Sequence, residues 1–233
     1  MKANRGNDNI RRNDNLVDQG WVGAKYGPGR YATLMNIVFD LGGVVFNWRP
    51  DTIIRSVFAD SETQDLVKAE IFEHVDWVEL DRGTISFDQA VVRGSSRTGL
   101  PRERIEALLN EVPPSLTPIQ GTIDLIRSIK DSNNRFFVLS NMHSASISYL
   151  EEKHPIWDMF DGVVISSRIQ KVKPEIEIYE YLLNEYELDP AETVFIDDMS
   201  ENLAAAGSTG IQTIKFIDSS QCRQALVDLG CIE

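Results

Sequence analysis

NIVFDLGGVVF, residues 36–46, sets a short apolar run directly before an aspartate and two glycines. Three further apolar runs end on polar residues in the same way. They are residues 136–139 before Ser140 and Asn141, residues 163–165 before Ser166 and Ser167, and residues 193–196 before Asp197 and Asp198. Between these runs, the spacing of apolar residues is typical of one-sided helices. Strands that alternate with helices predict right-handed crossovers and an α/β fold with a parallel sheet.

The polar residues after these runs are expected to meet at one edge of the sheet, because ligands of open α/β sheets bind outside the carboxyl ends of the strands. The residues concerned are Asp40, Ser140, Asn141, Lys173, Asp197 and Asp198. Carboxylates, a hydroxyl, an amide and a lysine can together handle a cation and a phosphoryl group. This combination predicts a site for metal-assisted phosphoryl transfer.

Four motifs in order carry a resemblance to a known family. They are Asp40-Leu41-Gly42-Gly43-Val44, Ser140-Asn141, Lys173-Pro174 and Asp197-Asp198. In this order they resemble the motifs of the haloacid dehalogenase-like (HAD) hydrolase superfamily, from about residue 35 to the end of the chain. The resemblance implies a Rossmann-like parallel core with a helical cap domain inserted after the first strand. The variant at residues 39–44 resembles a subgroup of sugar-1-phosphate phosphatases, with α-glucose 1-phosphate as the implied substrate.

Composition and pattern divide the chain into three parts. Residues 1–34 are rich in Asn, Gly, Arg and Asp, so we expect a loose N-terminal extension or a physiological start at Met35. Residues 35–47 and 117–233 are predicted to form the core, and residues 48–116, which contain no convincing strand, the helical cap. Within the cap, the spacing predicts helices over residues 51–60 and 62–77, a third capped at Thr84 or Ser86, and a fourth that opens at Pro101.

The overall charge narrows the class of partner. The 233-residue chain has a formal net charge of −13, which argues against nucleic acid but not against a phosphorylated small molecule. No apolar stretch approaches transmembrane length. Cys222 and Cys231 lack metal-site spacing and favour a reducing compartment over a disulfide. We therefore expect a cytoplasmic monomer or homodimer that acts on a small phosphorylated molecule and binds neither nucleic acid nor membrane.

Asp40 is the predicted nucleophile, because a carboxylate can attack phosphorus and split one displacement into two through an aspartyl-phosphate. Asp198 is the predicted direct ligand of Mg²⁺, with Asp197 bound directly or through water, since Mg²⁺ takes carboxylates and waters. The family resemblance implies that Asp40 and the carbonyl group of Gly42 are also ligands. A turn or helix-cap aspartate is the alternative for each carboxylate.

Three residues are predicted to contact the phosphoryl group. Ser140 and Asn141 would donate hydrogen bonds to it, which is compatible with a second role as helix N-caps. Lys173 would neutralise charge on the nucleophile and the phosphate together, and Pro174 restricts its backbone to an extended conformation. Lys171 is the competing lysine, and an ordinary surface position is the alternative for Lys173.

Gly42 departs from the family pattern, because phosphatases of this superfamily usually carry a second aspartate there that protonates the leaving group. The loss of a general acid, usually worth ~10²–10⁴-fold, costs least when the leaving group is acidic, as an anomeric oxygen is. His143 is the nearest substitute, with a surface histidine at a helix start as its alternative. Arg82, in the segment Asp81-Arg82-Gly83 that resembles a cap loop, either contacts substrate or is a surface arginine.

These residues favour a Mg²⁺-dependent phosphatase of a small phosphorylated metabolite. One alternative is a haloacid dehalogenase, in which Asp40 attacks carbon and no Mg²⁺ is needed. Another is a catalytically weak regulatory or binding protein that keeps the site but lacks the second aspartate. The pair Asp197-Asp198 favours the magnesium-dependent branch of the family.

Overall fold

The structure is a computed structural model that describes residues 34–130 and 134–232. Within these residues the strands are β1 (Asn36–Phe39), β2 (Arg135–Ser140), β3 (Gly162–Ile165), β4 (Thr193–Asp197) and β5 (Gln212–Lys215). All five are parallel and form one sheet in the order β3-β2-β1-β4-β5. The predicted α/β fold with a Rossmann-like parallel sheet is confirmed.

The α-helices of the described residues follow the strands as predicted. In chain order they are α1 (Pro50–Val57), α2 (Ser61–Val67), α3 (Val75–Arg82), α4 (Phe87–Thr98), α5 (Arg102–Asn110), α6 (Val112–Ser115), α7 (Gln120–Ile129), α8 (Ser144–Lys153), α9 (Ser166–Ile169), α10 (Ile176–Glu185), α11 (Ser200–Ser208) and α12 (Ser219–Asp228). A π-helical turn, Lys68–Phe72, follows α2. The first seven helices lie between β1 and β2, and the other five connect or follow the remaining strands.

β1 occupies the centre of the sheet. Phe39 is in register with Val138 of β2 on one side and with Ile196 of β4 on the other, so the three strands reach the same edge. The chain runs from β1 outward through β2 and β3 and then returns to β4 on the opposite side of β1. The strand order therefore reverses between β1 and β4, at the position where open α/β sheets bind ligands.

Helices cover both faces of the sheet, which explains why β1 and its neighbours are apolar along their length. Ile37 and Phe39 belong to one buried cluster and Val38 to another, because side chains alternate across a strand. Side chains of α7, α8 and α12 fill the first cluster, and those of α10 and α11 fill the second. The central strand is thereby held from both sides, and with it the loop that begins at Asp40.

Residues 48–116, named here the helical insert, contain α1 to α6 and a buried apolar cluster of their own. Val67, Ile105 and Leu108 are among its buried members. Pro50 opens α1, and Ser86 begins α4 with a capping box, as the sequence predicts for both positions. That the helical insert acts as a separate cap domain remains a prediction.

The single helix predicted over residues 62–77 is wrong. α2 and its π-helical turn end at Phe72, and a new helix, α3, begins at Val75. His74 between them has an extended backbone (φ −83°, ψ 151°), and its Nδ1 accepts a hydrogen bond of 3.1 Å from the Asp76 N–H. A capping histidine therefore starts the new helix, and no glycine or proline marks the break in the sequence.

The end of α3 lies against the sheet core. Ser166 Oγ donates a hydrogen bond to the carbonyl oxygen of Asp81. Gly83 has a φ of +80°, and a Cβ there would lie 2.7 Å from the carbonyl oxygen of Ser167. A glycine is therefore required for this approach. Asp81 and Arg82 accordingly lie in the last turn of a helix, where the sequence predicted a loop.

Three further predictions can be compared with the structure. Cys222 and Cys231 are both buried free thiols, as expected. In residues 34–130 and 134–232, none of the helices has the length and apolar character needed to cross a membrane. The predicted N-terminal extension, residues 1–34, lies outside the described residues except for Leu34.

Candidate active site

Lys173 joins two carboxylates at the carboxyl ends of β1 and β4. Its Nζ lies 2.9 Å from Asp40 Oδ1 and 2.8 Å from Asp197 Oδ2, and it also donates to the carbonyl oxygen of Leu139 at 3.2 Å. All three charged side chains are buried. Asp40 Oδ1 accepts a second hydrogen bond, of 2.7 Å, from the N–H of Leu41. The predicted neighbours Asp40, Lys173 and Asp197 are thus in direct contact.

Asn141 holds the segment that carries Lys173. Its Oδ1 accepts from the Lys173 N–H at 2.8 Å, and its Nδ2 donates to the Lys173 carbonyl oxygen at 2.9 Å. This positioning contact was not anticipated from the sequence, and the predicted contact of Asn141 with a phosphoryl group stays a prediction for its second amide proton. The N-cap of α8 is His143, so the expectation that Ser140 or Asn141 caps this helix is wrong.

Asp197 has most of its hydrogen-bonding capacity filled by the protein. Its Oδ1 accepts from the Met199 N–H at 2.7 Å, and Asn202 Nδ2 lies 3.1 and 3.0 Å from its two oxygens. Its side chain is fully buried. Asn202 therefore fixes this carboxylate in place. Asp197 in turn positions Lys173.

Asp198, in contrast, is only partly buried and lines the cavity above the sheet edge. It packs against Gly43, whose φ is +76°, and a Cβ at Gly43 would collide with the Asp198 carboxylate. The glycine at position 43 is therefore needed both for its backbone conformation and for this contact. Of the two adjacent aspartates, Asp198 is the one with a carboxylate available to a ligand.

A metal ion could be held by these carboxylates. One oxygen each of Asp40, Asp197 and Asp198 lies within 4.8 Å of the others. Three carboxylates face one lysine, which leaves an excess of negative charge in a mostly buried site. Hard oxygen donors with excess negative charge suit a divalent cation such as Mg²⁺.

Burial and neighbouring charges shift the protonation of the group. Burial raises the pKa of Asp40 to about 7, an effect that Lys173 opposes and the Asp197 charge reinforces. Burial lowers the pKa of Lys173, but Asp40 and Asp197 outweigh it and hold that pKa above its usual value. Burial and the Asp197 charge also raise the pKa of Asp198. Lys173 therefore stays charged, and a further cation would favour the ionised form of Asp40.

Ser140 supplies a polar atom without a partner. Its Oγ is fully buried, and no hydrogen bond of normal geometry reaches it from the described part of the chain. It lies close enough to Asp40 to lower the pKa of that carboxyl group. Buried hydroxyl groups are nearly always hydrogen-bonded, so an unpartnered one beside the predicted nucleophile Asp40 fits a site that receives a polar ligand.

A cavity of about 400 Å³ opens above these residues. One wall is the charged sheet edge, with Asp40, Lys173 and Asp198. The opposite wall is apolar and comes largely from the helical insert, with Trp48, Trp77, Val78, Val112 and Leu116, while Met142 and Val172 come from the core. The rings of Trp48 and Trp77 are stacked, with centroids 5.6 Å apart and an interplanar angle of 21°.

Arg82 lines the cavity but its guanidinium is engaged elsewhere. Its two terminal nitrogens each lie 2.7 Å from a carboxylate oxygen of Glu175, and its Nε lies 3.2 Å from Glu79 Oε1. These partners raise its pKa further. The predicted substrate contact of Arg82 stays a prediction, and the pair with Glu175 joins the helical insert to the core.

His143 is buried, so its interpretation as a surface histidine is wrong. Its ring packs edge-on against Trp77 with centroids 5.8 Å apart, and its Nε2 lies 2.9 Å from Ser146 Oγ. Burial lowers the pKa of His143 to about 4, so the ring is neutral at pH 7. A neutral, hydrogen-bonded imidazole is a poor replacement for the acid missing at position 42.

Asp81 is an acidic residue of the cavity to which the sequence assigned no role. It lies in the last turn of α3, is 9% exposed and lines the same cavity as Asp40. Burial raises its pKa to about 7, the His143 N–H lowers it, and the Asp40 charge raises it again. Its place next to Arg82 and Gly83 was visible in the sequence, but which way it faces depends on how α3 packs on the core.

Several known proteins and one family model are similar in sequence to this chain. A family model described as haloacid dehalogenase-like hydrolase matches residues 37–216. A sesquiterpene phosphatase of Aspergillus oryzae is 30% identical over 200 residues, which cover 85% of this chain and 98% of that protein. A D-ribitol-5-phosphate phosphatase of Bacteroides thetaiotaomicron is 26% identical over 208 residues, or 83% of this chain and 97% of that protein.

Solved structures share the fold. A HAD family enzyme from Bacteroides thetaiotaomicron, in complex with magnesium and inorganic phosphate, aligns with a TM-score of 0.64 and 22% identity over 80% of this chain and 96% of that one. The L-2-haloacid dehalogenase from Xanthobacter autotrophicus, with chloropropionic acid covalently bound, aligns with a TM-score of 0.61 and 14% identity over 86% of this chain and 85% of that one. At these identities the likeness concerns the fold alone.

Proposed function

The chain belongs to the haloacid dehalogenase-like hydrolase family, and we propose that it is a phosphatase that hydrolyses a small phosphate monoester through an aspartyl-phosphate at Asp40. The observation that carries this proposal is the buried group of Asp40, Lys173 and Ser140 at the sheet edge. Asp40 and Lys173 are 2.9 Å apart, and Ser140 Oγ beside them is unpartnered within the described residues. A nucleophile, a positive charge and a hydroxyl donor are what a phosphoryl group requires.

The proposed reaction has two displacements. Lys173 and the Leu41 N–H both bind Asp40 Oδ1, which orients Oδ2 for attack. Attack on phosphorus forms the bond to Asp40 and breaks the bond to the leaving oxygen. Water then attacks the aspartyl-phosphate, releases inorganic phosphate and returns Asp40 to its carboxylate form. Lys173 and Ser140 hold the phosphoryl oxygens in both steps.

We propose Mg²⁺ as the cofactor, held by Asp40, Asp198 and the carbonyl oxygen of Gly42. Asp197 keeps a positioning role, in contact with the ion at most through water, because Lys173, Asn202 and the Met199 N–H occupy its oxygens. When bound, the cation neutralises phosphoryl charge and reduces its repulsion from the Asp40 carboxylate. The excess of carboxylates over lysine is the feature of this chain that fits such an ion.

Two classes of substrate are compatible with this chemistry. A sugar phosphate, with glucose 1-phosphate favoured by the sequence resemblance, is the first, and the relative named as a D-ribitol-5-phosphate phosphatase accords with it. The phosphate ester of an apolar alcohol is the second, and the relative named as a sesquiterpene phosphatase accords with that. The choice depends on the wall that faces the leaving group.

The cavity wall favours the apolar alcohol. Stacked Trp48 and Trp77, with Val112 and Leu116 beside them, present hydrocarbon to the cavity. A sugar needs convergent hydrogen-bonding groups, and the one arginine of the wall, Arg82, is already engaged by two glutamates. Each buried CH₂ group of a lipid-like substrate gains about 0.8 kcal/mol on leaving water. We therefore place the isoprenoid-like class ahead of the sugar class.

The experiment is a substrate panel with and without Mg²⁺. It compares farnesyl monophosphate, glucose 1-phosphate, glucose 6-phosphate and 4-nitrophenyl phosphate, and measures phosphate release. We expect activity only with a divalent cation and a higher kcat/KM for farnesyl monophosphate than for either sugar. Full activity in excess chelator contradicts the metal assignment, and a higher kcat/KM for glucose 1-phosphate contradicts the apolar class.

The nucleophile is tested in the same assay. Asp40→Asn should lower kcat by on the order of 10⁴-fold or more, because an amide does not attack phosphorus and the site acts as a unit. Asp65→Asn, an exposed change on α2, is the matched control and should leave kcat unchanged. An Asp40→Asn variant that keeps a substantial fraction of the wild-type rate shows that another group attacks.

The two alternative functions give different outcomes. A dehalogenase would release halide from a 2-haloacid without a divalent cation and would not hydrolyse the phosphate esters. A catalytically weak binding protein would accumulate phosphorylated Asp40 without releasing phosphate, which intact-protein mass spectrometry detects. The partly exposed Asp198 beside Asp40 favours the phosphatase over both, because it supplies an available carboxylate for a cation.

A further inference from the structure

We propose that Asp81 is the general acid and base of this site, acting from the helical insert in place of the carboxylate that is missing at Gly42. The proposal rests on the proposed phosphatase function. It starts from the position of Asp81, whose side chain lines the same cavity as Asp40 and Asn141 although it comes from α3 rather than from a strand end.

The backbone of Asp81 is fixed relative to the sheet. Ser166 Oγ donates to the Asp81 carbonyl oxygen and itself accepts a hydrogen bond of 2.9 Å from the Met142 N–H. Gly83 approaches Ser167 so closely that a Cβ would lie 2.7 Å from its carbonyl oxygen. The first residues of α9, which follow β3 and are bound by Met142 of the loop after β2, therefore hold the end of α3, and an acid there has a defined place above the sheet edge.

The surroundings of Asp81 raise its pKa, so that a fraction of the carboxyl group carries a proton at neutral pH. The groups that face it are Asp40, Lys173 and the N–H of His143, and burial together with the Asp40 charge outweighs the other two to raise its pKa to about 7. Arg82, its neighbour in sequence, pairs instead with Glu79 and Glu175. No ion pair to Asp81 exists among the described residues. A buried, unpaired carboxylic acid can both donate and regain a proton.

Other acids of the cavity are less suited to this role. Asp198 is assigned to the cation, and Glu175 is paired with Arg82, while Asp197 lies beneath the cavity lining with most of its hydrogen-bonding capacity filled. Glu201 lines the cavity but is exposed. His143 was the sequence-based candidate, yet its ring is neutral and bound to Ser146. Asp81 is the remaining acid of the cavity with a proton to give.

The proton balance of the two displacements is complete with Asp81. In the first, Asp40 Oδ2 bonds to phosphorus, the leaving oxygen departs with the P–O electron pair, and the Asp81 proton moves to it, giving the free alcohol. In the second, the Asp81 carboxylate takes a proton from the attacking water as its oxygen bonds to phosphorus. Asp40 leaves as a carboxylate, hydrogen phosphate is released, and Asp81 is again a carboxylic acid.

The test is the dependence of rate on the leaving group. Wild-type protein and Asp81→Asn are compared on aryl phosphates of graded phenol acidity and on farnesyl monophosphate. Asn keeps the shape of the side chain and an oxygen for the His143 N–H. We expect Asp81→Asn to lose about 10²–10⁴-fold in kcat on the alkyl ester and less than tenfold on 4-nitrophenyl phosphate, whose leaving group needs no proton. Asp65→Asn is the control that should follow the wild type.

A second variant gives an independent test of the same role, and Asp81→Ser replaces Asp81→Asn in both variants if the latter is poorly folded. A Cβ at Gly42 would meet only Trp48 Cβ, at 3.8 Å, and the φ of Gly42 lies outside the left-handed region, so the backbone and the space at Cβ accept a side chain there. Gly42→Asp in the Asp81→Asn background should restore turnover of the alkyl ester and flatten the leaving-group dependence. A folded Asp81→Asn variant that shows no selective loss on the alkyl ester overturns the role of Asp81.

The outcomes separate the two proposals. A wild-type protein that hydrolyses none of the esters with Mg²⁺ present overturns the phosphatase function, and the role of Asp81 with it. A wild-type phosphatase whose leaving-group dependence is unchanged in a folded Asp81→Asn variant overturns the role of Asp81 alone. Melting temperatures of both variants, measured by circular dichroism, identify a fold defect.

Discussion

The sheet edge and the helical insert form opposite walls of one cavity and are built on different principles. At the edge, Lys173 is buried between Asp40 and Asp197, and its Nζ lies 2.9 and 2.8 Å from their carboxylate oxygens. Across the cavity, Trp48 and Trp77 offer ring surface and no charge. The difference indicates that the edge determines which bond is broken, whereas the insert determines which molecule presents that bond. Asp81 is the exception, because it places the proposed acid of the reaction on the insert side.

Removal of the lysine from the edge should give the largest effect. Lys173→Met leaves Asp40 and Asp197 buried without their counter-charge, and breaking a buried ion pair in this way costs about 3–5 kcal/mol of unfolding free energy. The loss should be smaller at pH 5, where protonation of Asp40 removes the repulsion. Urea unfolding of the metal-free Lys173→Met variant at pH 5 and pH 8 measures this loss of unfolding free energy, with Lys171→Met as the control. Equal stability of the two variants at pH 8 contradicts an edge held by charge.

The pH dependence of stability should distinguish the buried acids. For metal-free protein, the folded-state pKa values of Asp40 and Asp81 are about 7, above the unfolded value near 3.9. Between these pH values the folded state holds more protons, so the unfolding free energy should fall as pH rises from 4 to 7. His143, with a folded pKa of about 4, acts in the opposite direction below pH 6.5.

The variant Asp81→Asn isolates the contribution of Asp81 to the pH dependence of the unfolding free energy. The difference in unfolding free energy between wild type and Asp81→Asn, measured by urea unfolding at several pH values, should change between pH 4 and 7 and level off above. Saturating Mg²⁺ should stabilise the wild type at pH 7 by binding the folded state. A flat difference across this range shows that Asp81 keeps an ordinary pKa.

The apolar wall should affect selectivity more than rate. Trp77→Leu removes one ring of the stacked pair and should raise KM for farnesyl monophosphate by about tenfold, a loss comparable with that of one or two methylene contacts. Acetyl phosphate, which is too small to reach the wall, should keep its kcat/KM. Steady-state kinetics on both substrates provide the measurement, and Val92→Leu, an exposed change on α4, is the control. If kcat/KM falls equally for farnesyl monophosphate and acetyl phosphate, the substitution has disturbed the sheet edge and the apolar wall does not determine selectivity.

The smallest effect on stability is expected for the Arg82–Glu175 ion pair, which joins the helical insert to the core. Arg82→Gln breaks the pair with Glu175, whose side chain is 43% exposed, and should cost less than about 1 kcal/mol of unfolding free energy. Thermal melts in low and high salt measure it, with Arg102→Gln as the control for an exposed pair. A large rise in KM for this variant instead supports the predicted contact of Arg82 with substrate.

The sheet edge was predictable from the sequence because strand ends carry their own signal. Each apolar run ends where its polar residue begins, and the parallel order brings Asp40, Ser140 and Asp197 together whatever the helices do. The supporting contacts were less accessible. Asn141 binds the backbone of Lys173, 32 residues away, and no local pattern encodes such a partner.

The helical insert was harder to predict for a related reason. Periodicity reports one apolar face, and residues 62–77 keep that spacing across the break at His74, so two helices appeared as one. The orientation of α3 then decides that Asp81 faces the cavity while Arg82 turns to Glu175. Burial of His143 depends on Trp77, which belongs to the same misassigned helix. The wrong helix prediction in the helical insert therefore also led to wrong predictions for the candidate site.

The adjacent glycines at positions 42 and 43 differ in whether a side chain can replace the glycine hydrogen. A side chain at Gly43 collides with Asp198, whereas one at Gly42 finds ordinary contact distance to Trp48. Glycine and aspartate codons can be exchanged by a single base, so a carboxylate at position 42 is one genetic step away and meets no steric barrier. The same substitution at position 43 is blocked by the collision with Asp198. Proteins that carry this loop can therefore gain or lose an acid beside Asp40 without a change of fold. The condition is that Asp81 supplies the proposed acid while position 42 is a glycine.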